Sequence, residues 1–169
     1  VKACQEISKV HIYLIGEGAK RDEVVERIKN FSNCTYFPPV RYEELNDLLC
    51  NADLHILFQK STVVDTVMPS KILGMMASAK PSIVTGYEES EVKHNFEVSN
   101  GGFYYYEENK LEKIIEKIKN LIEFPQESKE TGENAREFII EKFSMEKILS
   151  IFKGNINIFK NCSVIKGLA

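Results

Sequence analysis

Short apolar runs, each closed by glycine or proline and each followed by a stretch with helical spacing, restrict this 169-residue chain more than any other feature. "VHIYLIGEG" (10–18) is rich in β-branched residues and ends at glycines, so it reads as a buried strand feeding a loop. "AKRDEVVERIKNF" follows, with Val24, Val25 and Ile28 at helical spacing. The alternation then repeats: a strand at 34–40 stopped by Pro38 and Pro39, a helix at 41–52 with Leu45, Leu48 and Leu49 on one face, and a strand at 53–58. A polar loop (59–68) leads to the helix "PSKILGMMASA", a strand at 81–86, a helix at 88–100 and a strand at 102–106. Helices at 108–123, 128–142 and 144–153 close the chain, within about residues 108–159.

Strands alternating with helices, each strand short and mostly apolar, predict an α/β fold: a Rossmann-like parallel sheet with helices on both faces. Residues 1–169 read as a single domain, with no repeat, linker or low-complexity tract. In such sheets ligands sit beyond the carboxyl ends of the strands. The loops at 16–20, 38–42, 59–70, 86–91 and 100–102 are therefore the ones to inspect. The opening "VKACQEISK" reads as the end of a helix whose preceding strand is not in the sequence.

Composition excludes several classes. The net charge of −3 offers no basic surface for nucleic acid. No apolar run reaches membrane-spanning length, and the N-terminus lacks signal-peptide character. Cys4, Cys34, Cys50 and Cys162 are far apart and form no CxxC pair, which fits buried thiols in a reducing, cytoplasmic setting. His11, His55 and His94 are equally scattered, so no metal site is expected.

One segment departs from a purely structural helix. "TVMPSKILGMMASAKP" (66–81) places a proline, a hydroxyl and an ammonium at the positive end of an apolar helix. With Pro69 at the start, the amides of Ser70, Lys71 and Ile72 are expected to point outward unpaired, an anion site helped by the helix dipole. The competing structural reading makes Ser70 a cap and Lys71 a solvated side chain. Met75 and Met76 read as core filler, and Gly74, Ala77 and Ala79 let the helix approach the sheet or a ligand closely.

Other candidates are weaker. Gly16 and Gly18 could admit a phosphate, yet GEG without the rest of GxGxxG is equally a tight turn. Asp65 and Thr66 could meet a polar ligand or cap a loop. Glu88, Glu89 and Glu91 read as a solvated first helical turn. The rings of Phe103 to Tyr106 alternate along a strand, so they are expected to pack rather than to stack on bases. No GxSxG or Walker loop is present.

The order of "IYLIGEGAKRDEV", "NCTYFPPVRYEELNDLLCNADLHIL", "VVDTVMPSKILGMMASAKPSIVTG" and "ENAREFIIEKFS" resembles the C-terminal half of the family 4 (group 1) retaining glycosyltransferases. Within that family it looks like the colanic-acid-type fucosyl and N-acetylfucosaminyl transferase branch of surface polysaccharide synthesis. The resemblance implies a GT-B architecture, a nucleoside diphosphate sugar as donor substrate, no cofactor, and a glycan or lipid-linked acceptor. It also implies that an N-terminal acceptor domain, a first strand and a basic loop precede this sequence. The location it implies is cytoplasmic, peripheral at the inner face of the membrane.

Carried over by position, Asp65, Thr66, Val67 and Met68 would face the donor sugar, and Ser70 and Lys71 the diphosphate. Pro39 and Val40 would lie near the base, with Gly16 and Gly18 lining the cleft. Lys71 would be the catalytic residue, acting electrostatically on the leaving group. Most of the family carries two glutamates where this chain has Thr66 and Gly74, and Ala79 stands where glycine is usual. A non-catalytic nucleotide- or phosphate-binding module is the alternative, and an interaction domain with an inert pocket is a second one.

Overall fold

The computed structural model describes residues 7, 9–60, 62, 69–107 and 110–160. Five parallel strands alternate with helices in chain order. The first half runs β1 (Ile12–Ile15), α1 (Arg21–Ile28), β2 (Cys34–Phe37), α2 (Leu45–Asn51) and β3 (His55–Phe58). The second runs α3 (Ser70–Ala77), β4 (Ser82–Thr85), α4 (Glu91–Ser99), β5 (Phe103–Tyr105), α5 (Lys110–Glu123), α6 (Pro125–Phe143) and α7 (Met145–Lys160). The expected α/β fold, with parallel strands and helices on both faces, is the one present.

The sheet is in two pieces. β1 pairs with β2, while β4 lies between β3 and β5. Ile83 faces Phe103 and Ile56 across the second piece, and Val84 faces Leu57 and Tyr104. On one face Val84, Leu57 and Tyr104 pack with Ile72, Met75 and Met76 of α3, Val92 and Phe96 of α4, and Ala135 of α6. On the other, Ile83, Phe103 and Tyr105 pack with Ile114 and Ile118 of α5 and with Ile7, while Ile12 and Leu54 join the two pieces at this cluster. The aromatic strand β5 thus divides its rings between two cores, as strand alternation requires.

Coverage is uneven. β4 is buried along its length, but β1 alternates, and Tyr13 and Phe58 remain 60% and 66% exposed. No described helix covers Tyr13, Ile15 and Phe37, so the two-sided burial expected of every strand holds at β4 and not at β1.

Several boundaries differ from the sequence reading for local reasons. α6 begins at Pro125, not 128, because proline fits a first helical turn that needs no N–H. α4 begins after Ser90, whose hydroxyl accepts from the Val92 amide, so Glu88 and Glu89 lie outside the helix and only Glu91 is in its first turn. The 41–52 helix opens as a tight 3-10 turn (Tyr42–Glu44), fixed by a mutual pairing of Arg41 and Glu44. Cys50 is exposed, contrary to the expectation of buried thiols, while Cys34 is half-buried and its thiol pKa is pushed up by burial. Cys4, Cys162 and most of the opening "VKACQEISK" lie outside the described residues.

Candidate functional site

The site is built from the end of β3 and the start of α3. Pro69 occupies the N-cap with extended backbone (ψ 136), and no side chain caps the helix. Ser70 is therefore the first helical residue rather than the cap that the structural reading made it. The Ile72 amide donates to the Pro69 carbonyl at 3.0 Å, which corrects the expectation of three free amides. An N-cap carbonyl takes the first bond of its helix, so the third amide is consumed by the turn itself. The amides of Ser70 and Lys71 have no acceptor among the described residues, and both side chains are exposed. No described carboxylate pairs with Lys71.

The other end of α3 is saturated. Ser78 Oγ donates to the Met75 carbonyl at 2.6 Å, and Arg136 Nη1 donates to the Ala77 carbonyl at 2.8 Å. Ala79 then turns the chain in the left-handed region (φ 58), where glycine is the usual residue. Met75 and Met76 are core residues, as their pattern indicated. Gly74 brings α3 against α2: a Cβ there would stand 3.3 Å from Leu49 Cδ1.

Within each piece the strands run parallel, so the chain leaves β1 and β2 at one common end and β3, β4 and β5 at one common end. Gly16 follows β1 with φ 141, its amide bonded to the Phe37 carbonyl at 3.2 Å and its carbonyl receiving the Tyr36 hydroxyl at 2.8 Å. A Cβ at Gly16 or Gly18 would meet nothing within 4 Å, so backbone conformation at Gly16, not crowding, calls for glycine. Pro39 and Val40 follow β2, the first exposed and the second half-buried. Gly16, Gly18, Pro39 and Val40 thus lie at the carboxyl end of the β1–β2 piece, while Ser70 and Lys71 open the helix that follows β3 of the other piece. Asp65, Thr66, Val67 and Met68 lie outside the described residues.

Two residues at this end were missed in the sequence. Arg21 opens α1, and its Nε donates to the Tyr36 hydroxyl at 3.1 Å while the guanidinium packs over that ring. Gln59 follows β3 and carries a buried, unpaired Oε1. Arg21 falls inside the segment IYLIGEGAKRDEV without a chemical signature of its own there, Gln59 lies outside the matched segments, and only tertiary placement distinguishes them from ordinary surface polar residues. A groove beside the start of α4 is lined by Glu88, Glu89, Glu91 and Glu97 against Lys93 and His94, the wrong sign for a diphosphate. Among the described residues no group of three His, Cys, Asp or Glu side chains could hold a metal ion.

With this geometry in hand, comparison with known proteins is informative. The profile of the glycosyl transferases group 1 matches residues 1–123, well over half of the chain. The chain belongs to the group 1 glycosyl transferases. It is 26% identical over 141 residues to WcaI of Escherichia coli (strain K12), whose name places it in colanic acid biosynthesis as a glycosyl transferase. That alignment covers 83% of this chain and 34% of WcaI. Among solved structures, TarM superposes with a TM-score of 0.71 at 21% identity, covering 90% of this chain and 30% of TarM. HepE from Anabaena (Alr3699), solved in complex with UDP-glucose, gives 0.69 at 18% identity over 92% of this chain and 43% of that one. These likenesses show the fold, that of one part of a GT-B glycosyltransferase. This group 1 chain spans between 30% and 43% of the length of these relatives.

Proposed function

We propose that this chain is the donor-binding half of a retaining glycosyltransferase, with Ser70 and Lys71 holding the diphosphate of a nucleotide sugar. The reading rests on one observation: two amides and an ammonium at the N-terminus of α3 that have no partner among the described residues, in the helix that follows parallel strand β3. Membership of the group 1 family and the likeness to a UDP-glucose complex support it.

As a glycosidic bond to a nucleoside diphosphate breaks, charge accumulates on the leaving phosphate. The dipole of α3 contributes only about 0.3–1 kcal/mol at an exposed end. The Lys71 ammonium at contact distance adds on the order of 4 kcal/mol at intermediate dielectric, so the lysine dominates. Asp65, Thr66, Val67 and Met68 are assigned to the sugar, Pro39 and Val40 to the base, and Gly16 and Gly18 to the cleft wall. The acceptor, a glycan or a lipid-linked sugar of a surface polysaccharide, and the acid–base groups belong to a separate domain, so this half alone does not turn over. Within this reading the closer kinship is with the colanic-acid-type fucosyl and N-acetylfucosaminyl transferases, and no metal is needed if helix and lysine stabilise the leaving group. Residues 1–169 act as a single unit, placed in the cytoplasm against the inner face of the membrane.

A ligand-observed NMR screen against UDP, GDP, ADP and their hexose conjugates tests the reading. Binding that favours one sugar-bearing nucleotide is the expected result. Binding indifferent to the sugar would identify a nucleotide sensor instead, and absence of all binding would leave a docking domain.

A further inference from the structure

Gln59 leaves β3 at the end where parallel α/β sheets take their ligands. Its backbone is fixed on β4: the Gln59 amide donates to the Thr85 carbonyl at 3.1 Å, and Thr85 Oγ1 donates to the Gln59 carbonyl at 3.3 Å. Oε1 is sealed from solvent and accepts no hydrogen bond. The nearby Tyr104 hydroxyl is committed elsewhere, donating to the Tyr87 carbonyl at 2.9 Å. Gly86 keeps the space open, since a Cβ there would stand 3.3 Å from Gln59 Oε1 and collide with the Tyr104 hydroxyl.

An unpaired buried acceptor is a standing cost, which native proteins retain where a ligand or a water repays it. The other such side chains among the described residues, Asn33 and Ser82, lie at the amino ends of β2 and β4, away from the ligand end. Gln59 alone combines the orphaned atom with the right end of the sheet.

We propose that Gln59 is a specificity residue of the donor site, its Oε1 accepting a hydrogen bond from a hydroxyl of the nucleotide sugar. The inference rests on the donor-binding reading above. A diphosphate at neutral pH offers acceptors only, so the partner of Oε1 lies on the hexose or the nucleoside, whose shared donors are hydroxyls. Rotation about the side chain's own torsions would turn Oε1 out of its sealed position, and no hydrogen bond of the side chain among the described residues is lost.

Calorimetry on the protein and its Gln59→Met variant, with UDP-glucose, GDP-mannose and ADP-glucose and with UDP, GDP and ADP, tests this. Methionine keeps the length and removes the orphaned acceptor. Affinity for the tightest nucleotide sugar is expected to fall about tenfold, while the Tm stays level or rises. A loss confined to the nucleotide sugar assigns the hydroxyl to the hexose; an equal loss with the parent diphosphate assigns it to the ribose. Unchanged affinity in the variant overturns the proposal, as does weaker binding accompanied by a lower Tm, which marks Gln59 as structural. If the unsubstituted protein binds none of the six ligands, the donor-binding reading itself fails and takes the proposal with it.

Discussion

The guanidinium of Arg136, on α6, donates to the carbonyl of Ala77 in the last turn of α3, 2.8 Å away. A cation from a neighbouring helix thus satisfies the negative end of α3, while two amides at the positive end have no acceptor among the described residues. The polarity of α3 is consequently held in place from behind, by contacts that never reach the ligand end. Oriented in this way, a helix can stabilise leaving-group charge without reorganising as the charge develops.

Lys71→Ala should therefore weaken binding of a nucleoside diphosphate by about 1–3 kcal/mol, the loss expected for a charged contact. Binding of the matching nucleoside should barely change. Isothermal titration with both ligands makes the comparison, and an equal loss for the two would mean that Lys71 acts through the fold.

The turn after α3 yields a pair of opposite predictions. Ala79 sits in the left-handed region at φ 58, and Gly132 of α6 packs so closely that a Cβ there would collide with the Ala79 carbonyl. Ala79→Gly relieves backbone strain and should stabilise by about 0.5–1 kcal/mol. Gly132→Ala forces α3 and α6 apart and should destabilise by about 1–3 kcal/mol. Urea denaturation of the two variants settles the signs; a neutral Gly132→Ala would show that the α3–α6 contact yields freely.

Much of this was legible in the sequence because it is local. The β-branched run ending at Gly16, the small residues of α3 and the spacing of Ile114, Ile118 and Leu121 each specify an element by their own pattern. The proline-serine-lysine start of α3 was legible too, but the loss of the Ile72 amide to Pro69 depends on backbone geometry that composition does not encode. Non-local facts were out of reach. That Tyr36 links Arg21 to Gly16, and that Gln59 is left unpaired between Gly86 and Tyr104, follow from strands brought together across intervening helices. The exposed face of β1 was also unforeseen, since an apolar run looks the same whether one or both of its faces are covered.

Ser90 closes the loop after β4 by capping α4, its buried hydroxyl accepting from the Val92 amide at 3.2 Å. Val92 and Phe96 then deliver the apolar face of α4 to the core. Ser90→Ala should cost about 1 kcal/mol of stability, and Ser90→Asp should recover part of that loss by restoring the acceptor. Thermal denaturation ranks the three proteins; an alanine variant as stable as the original would show that the cap is dispensable.

His55 ties β3 to the last turn of α3 and gives the fold a pH dependence of known sign. Its Nε2 lies 2.9 Å from Ser78 Oγ, which also lies 2.6 Å from the Met75 carbonyl, so imidazole, hydroxyl and carbonyl form one chain of contacts. Burial pushes the imidazole pKa below its usual 6.5; a hydrogen bond with the Leu49 backbone opposes that push, and the Lys80 charge adds to it. The unfolded chain therefore binds the proton more readily than the folded one. The stability that neutral His55 contributes is present above the unfolded pKa, about 6.5, and is lost as pH falls below it. His55→Gln keeps a hydrogen-bonding amide toward Ser78 and cannot titrate. Denaturant midpoints for both proteins from about pH 7.5 down to about pH 5 should diverge, the original losing stability more steeply as its imidazole protonates on unfolding. Parallel curves through that window would mean that the imidazole is solvated well enough to charge in the folded state.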